Sequence, residues 1–183
     1  MKRLIYLAIV GVMVLAGCEN KRQTQTNTWV ASADTDSMTA QEDAVIDTTL
    51  YGECGMNTAM HTLELITEQG DTLTFLYDNE AQGGLNVGDK LAVIWRQDKD
   101  GAVAEKIINL TSLMGKWSDL QRSIELKEDG SVVSNIKEPR PYLNWAICNG
   151  QLVLSSDTFS IRQIGPDSLY LHNNQGTIGL RRR

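Results

Sequence analysis

The chain has 183 residues, with 17 Lys and Arg against 23 Asp and Glu, and a formal charge of −6. An acidic chain without a basic stripe lacks the electrostatic footprint of a nucleic-acid binder, so nucleic acid is excluded as an expected partner. Three cysteines and two histidines leave little material for metal or nucleophile chemistry, and the length suits one domain or two small ones.

The first element is "MKRLIYLAIVGVMVLAGC". Lys2 and Arg3 precede an apolar run from Leu4 to Ala16, which has the length and flanks of a secretory signal and is too short for a stable membrane span. Leu15, Ala16, Gly17 and Cys18 resemble the bacterial lipobox. That resemblance implies a signal peptide over 1–17, acylation of Cys18 and an anchored protein, because several acyl chains hold a protein stably at a bilayer. Glu19 stands where Asp often marks inner-membrane retention, so the expected location is the outer membrane. Removing 17 of 183 residues leaves 166, and losing Lys2 and Arg3 carries the charge from −6 to −8.

Residues 18–43 are rich in Thr, Ser, Gln and Asp, with Trp29 and Met38 as the large apolar residues after Val30 is set aside. Such a segment buries too little apolar surface to offset ordering entropy, so it is expected to be a flexible tether. Asp34 and Asp36 have the spacing of a calcium loop but lack its glycine and terminal glutamate.

From Ala44 the pattern becomes that of short strands. "TLELITEQGDTLTFLY" places Leu63 and Leu65 on one face, turns at Gly70-Asp71 and resumes with Leu73, Phe75 and Tyr77. In "LNVGDKLAVIWRQDKDGAVAEKIINL", Leu91, Val93 and Trp95 alternate before a turn at Asp100-Gly101. With "AVIDTTLYGEC" in front, residues 44–110 supply five strands, and "NVGDKLAVIW" resembles the strand-four entry of OB-like barrels.

Within this part, "YGECGMNTAMHTLEL" crowds Cys54, Met56, Met60 and His61 together. Soft ligands of this type suit Cu(I), but only if a loop or helical turn lets them converge. A strand beginning at Met60 would turn Met60 and His61 to opposite faces, set His61 in phase with Leu63 and Leu65, and set Cys54 in phase with Ile46 and Leu50. The favoured reading is therefore structural, with no metal and with Gly52 and Gly55 marking a bulge or tight bend.

Residues 111–183 read as eight strands in a meander. Gly115 and Trp117 are followed by "SIELKEDGSVVSNI", turning at Asp129-Gly130, and "YLNWAICNGQLVLSS", turning at Asn149-Gly150 with Leu143, Trp145 and Ile147 on one face. "FSIRQIGPDSLYLHNNQGTIGLRR" turns at Gly165-Pro166-Asp167 and again at Asn173 to Gly176. The GxW, the ordered hairpins and the arginine-rich last strand resemble the lipocalin-like domain of lipoproteins from Gram-negative gut commensals. The resemblance implies an antiparallel meander barrel and carries no catalytic residues, while Trp117 has the ordinary role of a plug at one end of a small barrel. Strands this short leave little interior for a large ligand.

The expected fold is thus all-β, an OB-like barrel followed by a lipocalin-like meander barrel. No nucleophile elbow, zinc-protease helix or phosphate-binding glycine loop occurs, and His172, in "SLYLHNNQG", reads as a turn residue rather than a base. Cys54 and Cys148 form an even pair in an oxidising compartment, yet strand parity points one inward and the other outward, which argues against a disulfide. The expected function is that of a monomeric, non-enzymatic, lipid-anchored envelope protein without a cofactor, binding another protein or a glycan. The alternative is a soft-metal or redox sensor, resembling copper-responsive lipoproteins that join a lipocalin-like half-barrel to an OB domain. Those proteins carry a CxxC pair, which this chain lacks.

Overall fold

A computed structural model describes residues 46–79, 81–134 and 141–183. The expected signal segment, Cys18 and the expected tether with Asp34 and Asp36 lie outside the described residues. The rest is all-β, and its one helix has four residues.

Five strands form the first barrel: β1 (Leu50–Cys54), β2 (Thr62–Thr67), β3 (Thr72–Leu76), β4 (Lys90–Asp98) and β5 (Gly101–Asn109). They close in the order β1-β2-β3-β5-β4, with β4 pairing back onto β1. Only β3 and β5 run parallel, meeting at Leu76 and Val103. This is the OB-like arrangement. Period-two alternation fills its interior, so Cys54, Leu63, Leu65, Phe75, Leu91, Val93 and Ile107 form one buried cluster.

Three details differ from the sequence expectation. β1 begins at Leu50 rather than Ala44, and Ile46 is exposed, because the Asp47 carboxylate accepts from the Thr49 and Asn149 amides and turns residues 46–49 over the second barrel. Gly52 marks a close approach instead of a bulge. A Cβ there would lie 2.5 Å from the Ile66 carbonyl oxygen, while the β1–β2 register passes through Gly52 without a shift. The bulge falls in β5, where Ile94 faces Lys106 but Trp95 faces Ala104, leaving Glu105 unpaired. Trp95 keeps the phase of Leu91 and Val93 but reaches the barrel end, exposed, with its ring 5.7 Å from that of Phe75.

A short α1 (Leu110–Leu113) leads into the second barrel. Asn109 caps it, its Oδ1 accepting from the Ser112 amide at 2.8 Å, as a short polar side chain at an N-cap does. The following strands are β6 (Gly115–Ser118), β7 (Ser123–Leu126), β8 (Val132–Ser134), β9 (Trp145–Cys148), β10 (Gln151–Leu154), β11 (Asp157–Ile164), β12 (Ser168–Asn173) and β13 (Gly176–Arg182). They form an antiparallel sheet in the order β8-β7-β6-β13-β12-β11-β10-β9. That order is a meander closed by β13 on β6 and nearly closed at β8 and β9, which a single Ser131–Asn144 bridge joins. Asn149 and Gly150 have φ of 47° and 72°, the left-handed pair required by a tight hairpin turn. Leu143 is 68% exposed, against expectation, because β9 starts only at Trp145 and Leu143 instead gives its backbone to Val132 and Ser155.

Both barrels fall within one compact unit of the chain, and β4 and β5 contribute residues to both of its core clusters. In β4 and β5, Leu91, Val93 and Ile107 point into the first barrel, whereas the paired Ala92 and Ile108 are buried in the cluster of Trp117, Leu152, Phe159 and Leu169. Burial on both faces explains the unbroken apolar runs "LAV" and "II" in otherwise alternating strands. The Tyr51 hydroxyl adds a 2.6 Å bond to the Ile147 carbonyl on the free edge of β9, and Lys106 donates to the Gly150 carbonyl.

Candidate functional site

The loop from Gly55 to His61 joins β1 to β2, and the side chains proposed as soft ligands diverge there. Cys54 ends β1 inside the core, its Sγ 3.4 Å from Thr58 Oγ1. Met56 and Met60 point to solvent, 81% and 84% exposed. His61 has φ 64°, a left-handed conformation that breaks the phase expected with Leu63 and Leu65, so its ring is exposed rather than buried. Its Nδ1 lies 3.3 Å from the Tyr77 carbonyl oxygen and 3.7 Å from the Asp78 carboxylate. Among the described residues, no three His, Cys, Asp or Glu side chains group to hold a metal ion.

What braces this loop is Glu64. Its carboxylate accepts from the Asn57 amide at 2.9 Å and from Asn57 Nδ2 at 2.7 Å. Those bonds favour the ionised form and hold the carboxyl below its ordinary range. Gly55 leaves room for the same side chain, since a Cβ there would lie 2.2 Å from Glu64 Oε2.

Gly115 and Trp117 meet Arg182 at the end of the second barrel. Trp117 is fully buried, and its Nε1 donates to the Leu113 carbonyl at 2.7 Å. The Arg182 guanidinium stands 4.2 Å from the centre of the indole ring, within the range of a cation–π contact. It also donates to the Pro166 carbonyl at 2.8 Å, the Met114 carbonyl at 3.0 Å and the Ser112 carbonyl. Gly115 is needed at φ 122°, and a Cβ there would lie 2.8 Å from Arg182 Nη1. Each guanidinium nitrogen of Arg182 donates to a backbone carbonyl and the indole donates to Leu113, so the constellation closes this end of the barrel.

Cys54 and Cys148 are both free thiols. Cys148 lies near Tyr51 and Asp47, and partial burial followed by the Asp47 charge pushes its thiol up, which lowers its thiolate content. The Tyr51 hydroxyl is also pushed up, chiefly by burial, so it stays a donor to Ile147 at physiological pH. His172 pairs locally, its Nδ1 3.0 Å from Thr177 Oγ1.

The outer face of β12 and β13 holds what the sequence did not mark. Leu169, Leu171 and Leu180 point inward, which leaves Ser168, Tyr170, Gly179 and Arg181 facing outward. With Asp167 and Arg182 they line an open groove of about 440 Å³. The available signal was Tyr170 between two core leucines, an aromatic on the wrong phase for the core.

No family model, curated protein or solved structure matches the chain.

Proposed function

We propose that this protein is a lipid-anchored lipoprotein of the cell envelope, attached through Cys18, whose fused barrels serve as a non-enzymatic binding module. The anchor rests on Lys2, Arg3, the apolar run and the "LAGC" tetrapeptide acting together. One observation carries the binding reading: Trp117 and Arg182 bond to backbone carbonyls at the barrel end, while the β12–β13 groove presents Tyr170 together with Asp167 and Arg181, which join no ion pair among the described residues. The soft-metal alternative draws no support from the β1–β2 loop, where the Cys54 thiol faces the core and both methionines face solvent.

The test has two arms. Metabolic labelling with a fatty-acid analogue followed by membrane fractionation is expected to place label on the wild-type chain and none on Cys18→Ser. Label persisting in the mutant removes the anchor. Photo-cross-linking in intact cells, followed by purification, is expected to yield a saturable ligand or partner, and turnover of a covalent substrate by the pure protein would replace the binding reading with an enzymatic one.

A further inference from the structure

We propose that the outer face of β12 and β13 is a carbohydrate-binding platform, an inference that rests on reading the protein as a binding module. The register sets Tyr170 opposite Gly179 and Ser168 opposite Arg181. A Cβ at Gly179 would lie 3.1 Å from Tyr170 Cε1, so the ring rests against a strand that has no side chain at that point. Tyr170 is 43% exposed there, which leaves aromatic surface and the phenol hydroxyl open to a ligand.

Charge narrows the ligand class. Asp167 and Arg181 line the same groove, yet no ion pair joins them to each other or to any described residue. A guanidinium alone would select an anion, and a carboxylate alone a cation. Both signs in one groove, standing apart beside a serine hydroxyl, disfavour each of those and suit a neutral ligand that presents several hydroxyls as donors and acceptors. A pyranose has those hydroxyls at its rim and an apolar C–H face to lay on Tyr170. Arg182 is occupied with Trp117 and the Pro166, Met114 and Ser112 carbonyls, so it fixes one wall of the groove. The volume of about 440 Å³ lies in the small-molecule range of roughly 300–1,000 Å³, and the groove is open enough for an extended chain to continue past it.

The test uses the full chain, purified in detergent from membranes, against an array of neutral glucan, mannan and xylan oligosaccharides together with an oligogalacturonate. Binding to at least one neutral class is expected. Tyr170→Ala should weaken it by about tenfold or more and Arg181→Ala by about threefold or more, whereas Tyr170→Phe should stay within about threefold of wild type. Far-ultraviolet circular dichroism and a cooperative thermal transition matching the wild type show that the fold is intact in each variant. Absence of binding to every oligosaccharide overturns the platform, and a protein captured by in-cell cross-linking would then leave the binding module standing without it. Sugar binding equally strong in Tyr170→Ala and Arg181→Ala also overturns the platform, by moving the site elsewhere. Binding of the oligogalacturonate alone, lost in Arg181→Ala and indifferent to Tyr170→Ala, would reassign the groove to anions.

Discussion

Single side chains set the stability of the second barrel's closed end. Trp117→Ala is expected to cost about 3–5 kcal/mol, because it removes a fully buried indole along with its bond to Leu113 and leaves Arg182 without its aromatic partner. Equilibrium denaturation measures it, and a loss below about 1 kcal/mol would show that the end is held by something other than the indole. Glu64 gives a residue-level pH effect in the β1–β2 loop. Its folded pKa lies below the ordinary value near 4.5, so its contribution is fully present above that value and is lost as pH falls through the depressed one. Amide exchange in residues 55–61 should therefore quicken in acid relative to β4, beyond the intrinsic pH dependence. Glu64→Gln should abolish that difference by loosening the loop already at neutral pH. An unchanged acid response in the variant would assign the effect to another group.

At the scale of elements, the β1–β2 connection and the β9 edge make separate predictions. Titrating the reduced protein with Cu(I) against a competing chelator should reveal no stoichiometric site, since Cys54 is turned into the core and Met56 and Met60 away from it. One tight equivalent, lost on Cys54→Ser with Met60→Ala, would restore the sensor reading. Tyr51 covers the free edge of β9 by donating to the Ile147 carbonyl, and Tyr51→Phe should cost about 1 kcal/mol with faster exchange at β9 and β10. Exchange rising only in β1 would mean that the bond does not protect the edge. The hairpins were legible because their turn chemistry is local: Asn149-Gly150 and Asp129-Gly130 adopt the tight turns their residue types favour. Strand ends were less legible. Leu143 and Ile46 lie just outside β9 and β1, where hydrogen bonds to distant segments overrule alternation.

For the whole molecule, β4 and β5 are buried on both faces, and parting the barrels would expose Ala92 and Ile108, which lie in the core of the second. Thermal unfolding should be a single transition, and Ile108→Ala should lower it for both barrels together, by about 2–5 kcal/mol. Separate fluorescence from Trp95 in the first barrel and Trp117 in the second, each isolated by Trp→Phe changes elsewhere, reads the two. Transitions that part in the variant would show two independently stable domains.

Which segments are strands, and where most of them turn, was legible in the sequence because alternation and left-handed turn residues act over a few neighbouring positions. The sequence also carried the anchor expectation, a matter of contiguous residues at one end. Tertiary contacts set which strands feed both cores, why Gly115 has no side chain, and that Tyr170 lies against Gly179 beside Arg181. Gly115 and Arg182 are separated by most of the second barrel in sequence, and β13 pairs with β6 across all the intervening hairpins. Contacts of that kind depend on strand order and register, which no local residue preference encodes.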